Sequence, residues 1–166
     1  MANVTFGGNA VTLMGNEVKQ GEQAPDFTVM SNDLSAVTSD AYKGKVRIIT
    51  SVPSLDTGVC SDETKRFNEE ADKLENVQIL TISMDLPFAQ KRWCAANGIQ
   101  NLDTLSDFRD RDFGEKYGVL MQENGLLARA VFVVDSSDKI TYAEYVDEVT
   151  THPDYDAALE AAKQAK

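Results

Sequence analysis

The chain has 166 residues, with 27 acidic side chains against 16 basic ones and a formal net charge of −11. That length suits a single domain with a sound core. The acidic balance, with no basic block, argues against a role on the phosphate backbone of nucleic acid or on an anionic membrane surface.

Met1 to Gly8 lacks the basic and apolar regions of a secretory leader. No run approaches the roughly 18 apolar residues of a membrane span, so a cytoplasmic protein is expected. Val4-Thr5-Phe6 and Ala10-Val11-Thr12-Leu13 flank Gly7-Gly8-Asn9, which is a hairpin signal. It stands outside the pattern that follows, so residues 1–17 read as an extension of a single 1–166 domain. Gly15, Gly21 and Pro25 punctuate a loop, Phe27–Met30 reads as a short strand, and Thr38–Gly44 holds about one helical turn closed by Gly44.

Regular alternation begins at residue 46. Val46–Val52 reads as a strand, 60–74 as a helix and Val77–Met84 as a second strand rich in β-branched residues. Phe67, Ala71 and Leu74 are spaced four and three along one helix face. The three elements make one right-handed βαβ unit with parallel strands. A second helix has Pro87 in its first turn and Gly98 past its end, with Ala89 and Trp93 marking the expected buried side and Cys94 next to it. Residues 99–111 read as polar and irregular, and Phe113–Tyr117 as a short helix. Tyr117–Met121 is apolar within an expected loop, which suits core packing, a dimer contact or the rim of a substrate pocket. Leu126–Val134 is a near-continuous apolar strand, Asp135–Asp138 a turn, and Ile140–Val146 an antiparallel strand with one wet face. Asp154–Ala165 closes the chain as a helix. The order βαβ, helical region, ββα is the connectivity of an α/β thioredoxin-like fold, here with an N-terminal β-hairpin addition.

Cys60 falls where a strand has ended and a helix begins. The first N–H groups of a helix lack internal partners, and the macrodipole places partial positive charge there. A thiol at such an address ionises more readily than one in water, and the thiolate is the nucleophile. A free cysteine also serves as a small buried hydrophobe. Pro53 restricts the chain entering this loop. Thr57 is placed for its hydroxyl to face the sulfur or to cap the helix, and Gly58 allows a close backbone approach. Asp62 and Glu63 work against ionisation, so a thiolate here needs a cation. Arg129 is the candidate, as the lone charge in the run from Gly125 to Val134. It reads either as an ordinary ion-paired arginine or as a guanidinium aimed off the sheet end onto the Cys60 loop.

Cys94 suits packing, or trapping of an oxidised Cys60, since a sulfenic acid condenses with a second thiol. Two cysteines with one histidine fall short of the usual four-ligand metal site, and nothing else calls for a cofactor. His152 has no argued link to either cysteine. No G-x-G-x-x-G, P-loop, H-E-x-x-H or G-x-S-x-G is present.

Pro53-x-x-x-Thr57-x-x-Cys60 resembles the active-site motif of the peroxiredoxins, and Ala24-Pro25-Asp26-Phe27 resembles that family's entry to its core. The fuller string Pro53–Cys60, followed by Thr64-Lys65-Arg66-Phe67-Asn68, is similar to the family's bacterial thiol peroxidase branch, of the atypical two-cysteine type. The resemblance covers essentially the whole chain. It implies Cys60 as peroxidatic cysteine, Pro53 and Thr57 shielding it and orienting peroxide, and Arg129 activating it. Cys94 would be the resolving cysteine, closing an internal disulfide with Cys60. It further implies a hydroperoxide substrate, thioredoxin as reductant, and a homodimer. A disulfide needs Cα atoms within about 7 Å, so the segment 57–64 or 90–97 is expected to unwind on oxidation. Two other functions fit the same residues: a thiol–disulfide oxidoreductase, disfavoured because Thr57 stands where the first cysteine of Cys-x-x-Cys would be, and a non-enzymatic redox sensor.

Overall fold

The computed structural model describes residues 3–165. Met1, Ala2 and Lys166, which the single-domain reading and its N-terminal extension include, lie outside the described residues. In chain order the strands are β1 (Val4–Phe6), β2 (Asn9–Val11), β3 (Leu13–Met14), β4 (Thr28–Met30), β5 (Ala36–Thr38), β6 (Val46–Ser51), β7 (Val77–Ser83), β8 (Asp103–Ser106), β9 (Leu120–Met121), β10 (Ala130–Val134) and β11 (Ile140–Tyr145). The helices are α1 (Gly58–Ala71), α2 (Pro87–Asn97), α3 (Asp112–Lys116) and α4 (Tyr155–Gln164), with a 3₁₀ turn at Ser39–Tyr42.

Seven strands form one sheet in the order β11-β10-β6-β7-β8-β4-β5. β6, β7 and β8 run parallel; β10 is antiparallel to β6 and to β11. Every residue of β6 and β10 is buried, as near-continuous apolar runs require when both faces of a sheet are covered. Period-two alternation then divides the core. Ile49, Leu80 and Phe132 pack on one face with Phe113 and Tyr117, while Ile48, Ile79 and Val133 pack on the other with Phe67 of α1 and Leu159 of α4. The expected βαβ and ββα halves are both present, joined through the shared β6–β10 pairing.

Several expectations needed correction. The helix placed at 60–74 runs from Gly58 to Ala71, so Cys60 is the third residue of its first turn. The stretch 99–111 contains β8, whose Thr104, Leu105 and Ser106 are buried. Their hydroxyls hide the apolar signal of a covered strand. Tyr117–Met121 packs in the core, as the first of its three readings has it, but it is not all loop: Leu120–Met121 is a strand paired with β3. α2 presents neither Ala89 nor Trp93 as its buried side, since both are half-buried and its buried residues are Pro87 and Gln90. That helix seats on a polar side chain, which apolar periodicity cannot find.

The hairpin β1–β2 is a separate two-stranded sheet. The Glu148 carboxylate accepts hydrogen bonds from Thr5 Oγ1 (2.8 Å), Gly7 N (3.1 Å) and Gly8 N (2.8 Å), which fastens the hairpin to the loop after β11.

Candidate active site

β6 ends in the middle of the sheet, and the chain then turns through Pro53–Asp56 into α1. Thr57 is the N-cap in extended conformation, and its carbonyl accepts from Ser61 N at 2.9 Å. Its side chain does not cap the helix. Thr57 Oγ1 donates to the Ser54 carbonyl at 3.0 Å, which braces the loop. The expectation of a side-chain cap therefore fails: the loop curls back far enough for a carbonyl to compete for the hydroxyl.

Cys60 has no exposed surface and packs with Val52 and Leu55, with Trp93 of α2 against them. Arg129 immediately precedes β10 and is 2% exposed. Its Nη2 donates to Cys60 Sγ at 3.2 Å, its Nη1 to Glu63 Oε1 at 2.9 Å and its Nε to the Val149 carbonyl at 2.8 Å. All three arms of the fork are thereby aimed. The guanidinium points off the sheet end at the Cys60 loop, as one of the two sequence readings has it. Burial alone would weaken its charge, but the Glu63 carboxylate and the Cys60 sulfur outweigh that and hold it on the proton more tightly than usual. Glu63 is fully buried one turn beyond Cys60, and its Oε2 has no hydrogen-bond partner. Burial raises the Glu63 carboxyl more than Arg129 lowers it, leaving it well above the ordinary carboxylate range. Glu63 is thus the anchor of the cation. Asp62, expected to act beside it on the sulfur, faces solvent.

A cavity of about 300 Å³ lies against this cluster, lined by Phe6, Pro53, Thr57, Val59, Arg129 and Val149 among others. Its walls are largely aliphatic and aromatic, with the guanidinium as the charged group. Phe6 places the hairpin at the cavity. A larger hollow, about 630 Å³, opens at the other end of the sheet beside Lys45, Lys73 and Lys163 and holds neither cysteine.

Cys94 is a half-buried residue of α2 and is not joined to Cys60. Its sulfur lies 3.3 Å from Thr104 Oγ1, and it borders a different hollow, of about 380 Å³, with Asn32, Tyr42 and Asp103. Burial pushes its thiol up, only partly offset by hydrogen bonds from Thr104 and Asn32. His152 is exposed, with Nδ1 2.7 Å from the Tyr155 hydroxyl, and takes no part in the cluster. The structure therefore brings together Pro53, Thr57, Cys60 and Arg129, and leaves Cys94 and His152 apart from them. Sequence reasoning missed Phe6, the Val149 carbonyl and the anchoring role of Glu63. A carboxylate one helical turn after a buried thiol was a usable signal for the last of these; the other two arrive from chain segments far away.

The family model for Redoxin matches residues 19–159. The chain is 67% identical over 159 residues to the thiol peroxidase of Oceanobacillus iheyensis, covering 96% of this chain and 97% of that protein. It is 59% identical over 163 residues to the thiol peroxidase of Bacillus subtilis, covering 98% of each. Among solved structures, a peroxiredoxin-like protein from Aquifex aeolicus superimposes with a TM-score of 0.93 at 46% identity, over 99% of this chain and 97% of that one.

Proposed function

The chain belongs to the redoxin family, alongside bacterial thiol peroxidases, and is a peroxidase with a thioredoxin-like fold; from that premise we propose that Cys60 is the sulfur that attacks peroxide and Cys94 the thiol that resolves it. The observation that carries this reading is the 3.2 Å donation from Arg129 to the Cys60 sulfur at the edge of an apolar cavity.

The Cys60 thiolate attacks the terminal oxygen of hydrogen peroxide or an organic hydroperoxide. An S–O bond forms as the O–O bond breaks, and negative charge develops on the leaving oxygen. Arg129, preorganised by Glu63 and Val149, is the donor for that charge, while the Thr57 hydroxyl on the cavity wall, whose proton goes to the Ser54 carbonyl, offers its oxygen to accept from the peroxide O–H. Donors of this kind are worth about 10²–10³ in rate. Pro53 keeps water from the reacting sulfur. The leaving oxygen takes a proton from solvent and departs as water or alcohol, and Cys60 is left as a sulfenic acid.

The Cys94 thiolate then attacks the Cys60 sulfur, an S–S bond forms, the S–O bond breaks and water leaves. Because Cys60 is sealed in the core while Cys94 borders a separate hollow, at least one of the segments 57–64 and 90–97 must unwind first. Thioredoxin returns both thiols by exchange through a mixed disulfide. The protein acts in the cytoplasm as a homodimer, in antioxidant defence. The fold carries no helix among its described residues long and apolar enough to cross a membrane.

The test is peroxide consumption with a thioredoxin system, with mass mapping of the oxidised protein. Fast turnover that is lost in Cys60→Ser, with a Cys60–Cys94 link inside one chain, is the expected result. Slow stoichiometric oxidation without turnover, or a Cys94 link between chains, would refute the resolving scheme.

A further inference from the structure

Between the loop that leads through Thr57 into the Cys60 turn of α1 and the helix that carries Cys94 stands one carboxylate. Asp85 follows β7 and precedes the Pro87 start of α2. Its Oδ1 accepts from Ser54 Oγ at 2.6 Å, and its Oδ2 accepts from Leu55 N at 2.8 Å and from Ser83 Oγ at 2.9 Å. Ser83 Oγ in turn accepts from Gln90 Nε2 at 3.0 Å, one helical turn before Cys94. On the loop side, Ser54 also accepts from Thr57 Oγ1 through its carbonyl. A continuous chain of hydrogen bonds therefore runs from Thr57 through Ser54, Asp85 and Ser83 to Gln90.

The hub is acceptor-only chemistry. Three donors converge on one carboxylate, which an amide of the same shape cannot serve, since half of its head is a donor. The helix on the far side is lightly seated. Pro87 and Gln90 are its buried residues, Leu86 and Phe88 at its start are exposed, and the Gln90 amide oxygen has no partner. Little apolar area resists lifting this turn; Gln90 holds it through Ser83, which belongs to the latch, and through the Leu105 carbonyl at 2.8 Å, which does not.

We propose that Asp85 is a positioning residue that latches the Cys60 loop to the Cys94 helix, and so sets the balance between meeting peroxide and opening to form the disulfide. This rests on the resolving reading above. With the latch closed, Thr57 and Cys60 are held in the geometry that reacts. With it released, loop and helix are free to unwind together, which brings Cys94 sulfur to the Cys60 sulfenic acid with loss of water.

Asp85→Asn is the first variant and Ser54→Ala, which removes one of the two loop donors to Asp85 and leaves Leu55 N in place, the second. The single tryptophan, Trp93, packs beside Cys60, so stopped-flow fluorescence follows the reaction. The phase that depends on peroxide concentration, oxidation of Cys60, should slow about fivefold in Asp85→Asn, and the concentration-independent phase, disulfide closure, should accelerate about fivefold, as loss of one or two net hydrogen bonds predicts. Ser54→Ala should shift both phases in the same directions by less, and the double variant by no more than Asp85→Asn alone. Leu159→Ala, which loosens α4 elsewhere in the core, should leave the ratio of the two rates unchanged. A ratio unaltered in both latch variants, or altered equally by Leu159→Ala, would overturn the proposal. Should the wild type form no internal disulfide at all, the resolving scheme has failed, and amide exchange of the reduced proteins judges the latch on its own. Faster exchange across both 54–57 and 87–94 in Asp85→Asn supports it, and faster exchange in the loop alone, or in neither, overturns it.

Discussion

Glu63 and Arg129 hold each other where water does not reach, yet losing one is not equivalent to losing the other. In Glu63→Leu the guanidinium stays charged, because it cannot release its proton. It keeps its bonds to Val149 and Cys60 but loses the carboxylate at 2.9 Å. Breaking a buried pair in this way costs about 3–5 kcal/mol. In Arg129→Met the stranded group is a carboxyl, which neutralises by taking up a proton. Burial already raises Glu63 to about 7 with the guanidinium beside it, so without that cation it is neutral at pH 7. The cost then reduces to hydrogen bonds and packing, about 1–3 kcal/mol. Glu63→Leu should therefore be the less stable single variant by about 2 kcal/mol, and the double variant should be more stable than Glu63→Leu alone. Urea unfolding of the three reduced proteins at pH 7, with the slope checked for constancy, measures this. Activity should follow a different order: Arg129→Met loses about 10²–10³ in kcat/KM, while Glu63→Leu retains a cation on the sulfur and loses less. Equal destabilisation by the two single changes, or strict additivity in the double, would refute the account of the pair.

Three further outcomes follow from the same geometry. The folded-state carboxyl of Glu63 lies at about 7 against an ordinary 4.5, so between those values the folded chain holds a proton that the unfolded chain has released. Its contribution to stability is full below 4.5 and falls as pH rises through 7, by about 3 kcal/mol; subtracting the unfolding profile of Glu63→Gln from that of the wild type should reveal this slope. Cys94→Ser should leave single-turnover peroxide consumption near the wild-type rate while Cys60 sulfenic acid accumulates, detectable by a sulfenic-specific label, and multiple turnover with thioredoxin should stop. Gly15 has φ +94°, and a Cβ there would sit 1.9 Å from the Glu115 carbonyl oxygen, whereas Gly21 at the same φ has open space around it. Gly15→Ala should cost about 3 kcal/mol or more in thermal unfolding, and Gly21→Ala about 1 kcal/mol.

Local patterns in the chain were enough to place most of the fold. β-branched runs at 46–52, 77–84 and 126–134 announced covered strands because a strand buried on both faces has no polar side to interrupt it. The strand-to-helix boundary marked Cys60 as a candidate nucleophile because helix polarity is a property of consecutive residues. Arg129 was legible as a candidate because a charge inside an apolar strand must find a partner. What could not be read is what depends on residues meeting across the fold. β8 was overlooked because the hydroxyls of Thr104 and Ser106 are buried against polar partners, the Cys94 sulfur and the Asp85 backbone carbonyl, rather than apolar neighbours. Gln90 as the seat of α2 was invisible because its partners, Ser83 and the Leu105 carbonyl, belong to other strands. Cys60 and Cys94 were both conspicuous in one dimension, but only packing decided that one is sealed in the core and the other borders a hollow. The sequence thus determined which residues are candidates for the chemistry, since composition and local order fix a side chain's intrinsic reactivity. The tertiary structure alone decided which of them face one another and what must move, because hydrogen bonds and burial act through distances that chain order does not set.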